Sequence, residues 1–278
     1  MQDSLKTPEQ ELILYRYYRG INWGEQKYIE PLERLFINSE LKFSSIQEFN
    51  DPFDCKSFRF TFDGVKRGEA ITWIQNNWVK PIFRNANSRK RRENAEHIYD
   101  DFNSGKETSM VGKTTKDIYT HISNDFLICC FSEIPDSILM WAHYATGHRG
   151  FCIKCGFKKD LKIDATLAKV AYPDNDYFPQ INPMLYLQGK DDAVGKMFFA
   201  KSKHWKYEGE WRMMKKNDGN QYEQQLSDVL QGVIFGWKML PEDKTQIKEW
   251  IKQGKSNPEY FEAIGNPDKF ILDIKPVE

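Results

Sequence analysis

The sequence predicts a mixed α+β domain built on a mainly antiparallel sheet. Strand-like segments and helical segments interleave irregularly along the chain, whereas a doubly wound parallel sheet requires a regular alternation of the two. No G-x-G-x-x-G or phosphate-loop motif is present, so the sequence gives no support to the nucleotide-binding folds that depend on these motifs. We therefore predict one domain over residues 1–278, with a helical insertion at about 64–122.

The first elements follow from side-chain alternation. Residues 12–18 predict a strand, because successive side chains point to opposite faces of the strand. A short helix with Pro31 near its start comes next, and residues 41–45 predict a second strand. Residues 57–62 place three phenylalanines on one face and predict a third strand.

The character of the chain changes between residues 64 and 122. Ile71, Ile74 and Trp78 have the spacing of an amphipathic helix, and a strongly polar segment follows them. This combination predicts helices laid on the outside of a sheet.

Strand signals then return. The remaining predicted strands cover residues 126–132, 150–157, 209–215, 232–237 and 270–274, and the remaining predicted helices are one capped around Asp136 or Ser137, 191–203 and 241–253. Residues 172–183 contain three prolines and predict a loop.

Composition limits the functional classes. The chain has 278 residues with 40 acidic and 40 basic side chains, so a global electrostatic attraction to nucleic acid or to a membrane is not expected. No apolar run reaches the roughly 18 residues that span a bilayer. Five cysteines without a signal peptide indicate reduced thiols. We expect a cytoplasmic protein without membrane contact.

The segment YEGEWR is the strongest chemical candidate. If it lies on one strand, Glu208, Glu210 and Arg212 project from the same face. One interpretation is an exposed charge ladder in which Glu210 pairs with Arg212 and adds little stability. The other is a catalytic carboxylate pair that stabilises a positively charged, sugar-like transition state. Spacing does not choose between them.

Two further segments carry cations. Arg16 interrupts an apolar strand face, between Tyr15 and Tyr17, and either extends to water or binds a phosphate or carboxylate. The run Arg89, Lys90, Arg91 and Arg92 is either a solvated helix face or a track for nucleic-acid phosphates.

Metal chemistry has weak support. Asp51 and Asp54 lie in the turn-rich segment FNDPFD, which a structural turn explains. A metal-dependent nuclease that uses them with His143 remains an alternative. The cysteines lack zinc-site spacing, and we predict no metal.

Several motifs taken in order resemble an uncharacterised prokaryotic family of the "domain of unknown function" type. They are LYRYYRG, LKFSSIQEFNDPFD, CCFSE, ILMWAHYATGHRGFCI, KHWKYEGEWR and GVIFGW, from about Leu12 to Gly236. Such families recur in bacterial defence and toxin settings, and the resemblance therefore implies that role.

The motif order is also similar to that of the ADP-ribosyltransferase superfamily, and this resemblance implies an ADP-ribosyltransferase-like sheet core with NAD as substrate. Arg16 would match the residue on the first strand, Ser44 or Ser45 the second-strand serine, and Glu210 with Glu208 the glutamates of a later strand. The second motif departs from the family, since it reads Phe-Ser-Ser-Ile instead of Ser-Thr-Ser.

The chemistry of NAD fits these residue types. Nicotinamide is a cationic leaving group, so the reaction needs a carboxylate that stabilises an oxocarbenium-like ribose and does not need a general acid. The resemblance implies Glu210, Glu208 and Arg16 as catalytic residues. The NAD-binding set would be Arg16, Tyr15, Tyr17, Ser44, Ser45, His143 and Trp205.

We therefore expect an NAD-dependent ADP-ribosyltransferase that acts as a bacterial toxin or antiviral-defence effector. RNA or a protein would be its acceptor, and an antitoxin or inhibitor protein a partner. The alternative is a non-catalytic nucleic-acid-binding or partner-sensing module of a defence system, with Arg89, Lys90, Arg91 and Arg92 as its binding surface.

Overall fold

The computed structural model describes residues 11–104, 116, 119–120, 123–158, 164–175, 177–190, 192–224 and 229–277. The chain divides into two compact units. Unit 1 comprises Met1–Ser44, Leu127–Val170 and His204–Glu278, and unit 2 comprises Ser45–Phe126 and Ala171–Lys203. The prediction of a single domain with an insertion at about 64–122 stays a prediction.

Within its described residues, unit 1 is organised around an eight-stranded open sheet. Its strands are β1 (Leu12–Tyr18), β4 (Phe126–Ser132), β5 (Phe151–Phe157), β6 (Thr166–Lys169), β8 (Glu210–Lys216), β10 (Leu230–Phe235), β11 (Glu259–Gly265) and β12 (Leu272–Pro276). They lie side by side in the order β12-β11-β10-β5-β1-β4-β8-β6. β10 and β11 are parallel, and the other described pairings of this sheet are antiparallel. The predicted mixed α+β class with a mainly antiparallel sheet is confirmed.

One face of this sheet packs against a pair of helices, α1 (Gln26–Phe36) and α8 (Pro241–Gln253). We call it the α1/α8 face. Its buried side chains come from alternate positions of the strands and include Leu14, Cys129, Phe131, Ile153, Cys155, Met213 and Val233. Because alternate strand residues share a face, these side chains also identify which strand residues point the opposite way.

The opposite face carries α5 (Ile138–Tyr144) and is called the α5 face. The Ser137 hydroxyl accepts a hydrogen bond from the amide of Met140 and caps this helix, as its sequence predicts. Trp141 is fully buried here against Cys152 and Ile234, with Tyr15 and Tyr17 packed beside them. The α5 face is therefore mixed, with aromatic and polar groups side by side.

Unit 2 is mostly helical in its described residues. Its helices are α2 (Arg67–Ile74), a π-helical turn (Gln75–Val79), α3 (Lys80–Ile82), α4 (Ser88–Ser104), α6 (Pro183–Leu187) and α7 (Ala193–Phe198). Phe60 and Phe62 pack against Trp78 and Phe102. The strand β3 (Arg59–Phe60) is shorter than predicted and pairs in parallel with β7 (Gln180–Ile181).

Some predicted boundaries are wrong. The second strand is β2 (Glu40–Lys42), which pairs with β9 (Tyr222–Gln224), and Ser44 follows it in an isolated bridge to Ile128. Helix α7 covers only part of the predicted 191–203, since a bridge from Ala200 to Ala171 ends the helix. The strand β11 was not predicted.

None of the described helices is both long enough and apolar enough to cross a membrane.

Candidate functional site

The segment YEGEWR does not form one continuous strand, and the prediction that Glu208 shares a strand face with Glu210 is wrong. A 3-10 helix (Lys203–Glu208) ends at Glu208, and β8 begins at Glu210. Between them Gly209 has a φ of 51°, a left-handed conformation that glycine adopts without steric cost. The turn at Gly209 therefore separates the two glutamates into different local structures.

Glu208 is almost completely buried, with 2% exposure. The Tyr144 hydroxyl donates a 2.6 Å hydrogen bond to its Oε1. The Ser132 hydroxyl donates a 2.5 Å bond to its backbone carbonyl. Helix α5 thus binds the carboxylate of Glu208, and strand β4 binds its backbone. A buried carboxylate needs a donor such as the Tyr144 hydroxyl because burial removes its hydration.

A row of aromatic rings extends from this carboxylate. The His143 ring centroid lies 6.4 Å from that of Tyr144 and 6.5 Å from that of Tyr207, which lies 6.0 Å from that of Trp205. Two of the predicted NAD-binding residues, His143 and Trp205, therefore belong to one row beside Glu208. Such rings offer flat surfaces for stacking a heterocycle.

Glu210 and Arg212 form a bidentate ion pair. Arg212 Nε lies 2.7 Å from Glu210 Oε1, and its Nη2 lies 3.0 Å from Oε2. The interpretation of YEGEWR as an exposed charge ladder included this pairing, but the pair is not exposed, since Arg212 is 0% exposed and Glu210 is buried. A guanidinium that contacts both oxygens neutralises the buried Glu210 carboxylate.

Arg16 lies on the other side of the sheet from these groups. Its guanidinium contacts the Cys129 thiol and donates a 3.2 Å hydrogen bond to the Lys42 carbonyl, and it lies over the Tyr18 and Phe131 rings. These neighbours belong to the α1/α8 face. Burial raises the pKa of Cys129 to about 11, although Arg16 partly lowers it.

Glu210 points to the face of the sheet opposite to that of Arg16, as the alternation of side chains along β8 shows. In β8, Trp211 and Met213 pack into the α1/α8 core, so Glu210 and Arg212 point to the α5 face. The expectation from the family resemblance that Arg16 and Glu210 are catalytic residues of one site is therefore wrong. A sheet lies between them, and Arg16 cannot act in a site with Glu210.

The two tyrosines beside Arg16 point to the α5 face. The Tyr17 hydroxyl donates a 2.7 Å hydrogen bond to the Ile134 carbonyl, and its ring meets Trp141 edge-on at 5.3 Å. Burial raises the pKa of both Tyr15 and Tyr17. Both rings thus share a sheet face with the carboxylates, although they pack as part of the core.

The predicted serines have local structural roles. Ser44 exchanges backbone hydrogen bonds of 2.8 and 2.9 Å with Ile128. Since Phe43 packs into the α1/α8 core, Ser44 points to the α5 side. Ser45 caps a 3-10 turn, Ile46–Glu48, and belongs to unit 2.

The basic run lies on the first turns of α4. Arg89 and Lys90 each pair with Glu93, Arg92 pairs with Glu96, and Arg91 donates to backbone carbonyls of the preceding loop. Glutamates on the same helix therefore neutralise much of the positive charge that the predicted nucleic-acid-binding surface would need.

The residues of the nuclease alternative also have local partners. The Asp51 carboxylate accepts from the Phe53 amide, and Asp54 forms a buried ion pair with Lys201 at 3.5 Å. Within the described ranges, no three His, Cys, Asp or Glu side chains come together as metal ligands.

Comparison with known proteins adds one finding. Residues 140–213 match the model of the family described as Protein of unknown function (DUF2971). The DUF2971 segment starts in α5 and ends in β8, so it contains Tyr144, Glu208, Glu210 and Arg212. This match supports the predicted resemblance to an uncharacterised family over that segment. No curated protein and no solved structure matches the chain.

Sequence reasoning missed two of the residues that build this site. Tyr144 follows the candidate His143 directly, and Ser132 ends the strand FLICCFS. Both contacts join residues far apart in the chain, Tyr144 and Ser132 with Glu208. The available signal was that Tyr144 lies within ILMWAHYATGHRGFCI, one of the motifs that carry the family resemblance.

Proposed function

We propose that the chain is an NAD-dependent ADP-ribosyltransferase whose catalytic carboxylate is Glu208. The main support is the buried Glu208 side chain with its 2.6 Å hydrogen bond from Tyr144. A carboxylate shielded from water is well suited to stabilise positive charge that develops on a ribose, because electrostatic stabilisation is strongest where water is excluded.

The roles of the neighbouring groups follow from their contacts. Tyr144 is a positioning residue that fixes one oxygen of the Glu208 carboxylate. Glu210 is neutralised by Arg212, so in this proposal the pair anchors the start of β8 and does not contact the ribose. The row His143, Tyr207 and Trp205 would stack against the nicotinamide or adenine ring. Arg16 has no role in this site.

The reaction makes one demand on the protein. Cleavage of the bond between ribose and nicotinamide releases neutral nicotinamide, and the acceptor nucleophile then forms the new bond to ribose and loses its proton. Glu208 stabilises the intervening positive charge. The acceptor, either RNA or protein, and the role as a toxin or antiviral effector with an antitoxin partner stay predictions from the resemblance.

The test is transfer of label from NAD to RNA and protein substrates by the purified chain. We expect Glu208→Gln to lower labelling by roughly 100-fold or more. The matched control is Glu249→Gln, which removes an exposed carboxylate of α8 and should label like the wild type.

Folding of each variant is checked by circular dichroism and urea unfolding. If Glu208→Gln fails to fold, Tyr144→Phe serves as the second variant, and a reduced kcat with little change in KM for NAD supports the proposal. Unchanged labelling by the folded variant overturns it. A wild type that neither transfers label nor binds NAD overturns it as well.

The nucleic-acid-binding alternative stays a prediction. Its proposed surface on α4 pairs its cations with Glu93 and Glu96, so the geometry gives this surface no particular support.

A further inference from the structure

Three neighbouring strands of the unit 1 sheet end side by side. Tyr18, the last residue of β1, is opposite Phe151, the first of β5, and Phe151 is opposite Phe235, the last of β10. Neighbouring strands lie about 4.8 Å apart, so the chain beyond these residues forms a compact row at one end of the sheet.

Each of the three strands brings a cation to this row. Arg19 follows β1, Arg149 precedes β5, and Lys238 follows β10, and all three side chains are exposed. Gly20 packs against the Arg149 backbone, and the Lys238 amide donates a 2.9 Å hydrogen bond to the His148 carbonyl. We call Arg19, Arg149 and Lys238 the cationic end.

These three cations differ from those of α4. None of them has a carboxylate partner among the described residues, whereas Arg89 and Arg92 each pair with a glutamate of their own helix. An unpaired cation can bind an external anion without first losing an internal ion pair.

The backbone beside the cationic end is held in an uncommon conformation. Thr146, Gly147 and His148 have φ values of 49°, 61° and 68°. Left-handed conformations are costly for residues other than glycine, and they persist where the surrounding structure enforces them. Among the described residues, the buried Nδ1 of His148 has no hydrogen-bond partner.

Exposed aromatic rings continue the row. The Trp237 ring packs on Gly265, the last residue of β11, and is 55% exposed. Phe270, in the turn that joins β11 to β12, is 100% exposed. The same end of the sheet thus carries three cations and then two large exposed rings.

We propose that this end of the sheet binds single-stranded nucleic acid. The cations would contact successive phosphates, and unstacked bases would stack on Trp237 and Phe270, which is the usual combination for single-strand binding. Rings that lie on a surface are available to unpaired bases, whereas the bases of a duplex are stacked on each other. The proposal goes beyond the transferase function and does not depend on it.

Binding is measured by fluorescence anisotropy with a labelled RNA 12-mer of mixed sequence. DNA of the same sequence, the matching RNA duplex and inorganic polyphosphate are the comparison ligands. We expect the RNA or DNA single strand to bind more tightly than the duplex or polyphosphate, and the two single strands distinguish a ribose requirement from a general one.

Two variants test the two halves of the surface. Arg19→Ala/Arg149→Ala/Lys238→Ala should make the slope of log K against log salt shallower by about 2, since each phosphate contact contributes about 0.7 for a single strand. Trp237→Ala should weaken binding roughly 5- to 100-fold with little change in that slope. The matched control is Arg89→Ala/Lys90→Ala/Arg92→Ala, which removes the same charge from α4.

Several results would contradict the proposal. It is overturned if the wild type does not bind the single strand at low salt, if duplex or polyphosphate binds equally well, or if the α4 control weakens binding as much as the triple variant. If the triple variant does not fold, the single variants Arg149→Gln and Lys238→Gln replace it, and unchanged affinity in both overturns the proposal. NAD labelling of the same variants is scored separately, so failure of one proposal leaves the other standing.

Discussion

The two faces of the unit 1 sheet differ in how they accommodate charge. On the α1/α8 face, the β1 cation Arg16 lies half-buried among apolar side chains and contacts a thiol, a carbonyl and aromatic rings. On the α5 face, the carboxylate of Glu210 pairs with Arg212, and that of Glu208, two residues earlier, accepts a hydrogen bond from Tyr144. Arg16 is held by neutral groups that are common in protein cores. Glu208 and Glu210 require specific polar or charged partners.

This difference indicates where chemistry is concentrated. Arg16 needs no anion in order to be buried, because a guanidinium can bind neutral acceptors and ring faces. A buried carboxylate needs a donor or a cation. We therefore expect substitutions on the α5 face to have larger effects, on both folding and activity, than substitutions of Arg16.

The largest effect is expected for Arg212→Met. Removing this cation leaves the Glu210 carboxylate buried without its guanidinium partner, which should lower the free energy of unfolding by about 3–5 kcal/mol in urea denaturation. The double variant Glu210→Leu/Arg212→Met should recover much of that loss. A loss below 0.5 kcal/mol, comparable to that of the exposed control Arg89→Met, would contradict the comparison of the two faces.

The second effect is that of Tyr144→Phe. The variant removes only the hydroxyl that donates to Glu208, and a hydrogen bond to a charged group contributes about 1.5–3 kcal/mol. Tyr177→Phe, which removes an exposed hydroxyl of unit 2, is the matched control and should unfold like the wild type. Equal stability of the two variants would show that the Glu208 carboxylate does not need Tyr144.

Arg16→Met is expected to cost less, about 1 kcal/mol, because the methionine side chain fits an apolar face and the lost hydrogen bonds are to neutral acceptors. NAD labelling should remain at the wild-type level. Loss of labelling in a variant that unfolds like the wild type would show that Arg16 takes part in the reaction. It would contradict the conclusion that the chemistry is confined to the α5 face.

The smallest effect concerns pH. Burial lowers the pKa of His148, and the charge of the nearby Lys238 lowers it further. The His148 ring stacks on Trp141. The folded state therefore favours the neutral imidazole over the charged form. The neutral His148 imidazole therefore contributes fully to the free energy of unfolding above its unfolded-state pKa of about 6.5. This contribution is lost as the pH falls through that value towards the lower folded-state pKa. When the pH falls from 7.5 to 5.5, the free energy of unfolding in urea should decrease more for the wild type than for His148→Gln. Equal decreases in the two proteins would show that His148 does not cause the pH dependence.

Much of the fold could be predicted from local patterns. Strand β1 and helix α8 occur at the predicted residues, 12–18 and 241–253. Their alternation and helical periodicity are properties of short windows. The placement of Arg16 on the same face as Leu14 also follows from alternation.

The candidate site was less predictable because it depends on distant contacts. Glu208 and Glu210 are two residues apart, but a left-handed Gly209 decides whether they share a face, and glycine permits either outcome. The burial of Arg212 depends on what packs over β8, and the bond from Tyr144 joins residues 64 positions apart. No local pattern encodes these distances.

The discontinuity of unit 1 has a consequence for synthesis on the ribosome. Strand β1 ends at Tyr18, while its neighbours β4 and β5 begin at Phe126 and Phe151. The nascent chain therefore carries β1 without its partners while most of unit 2 is being made. A central strand with both hydrogen-bonding edges open is a template for pairing with other chains. Arg16 and Arg19 put charge on this unpaired strand and on its end during that interval, when an entirely apolar strand would be most prone to aggregation.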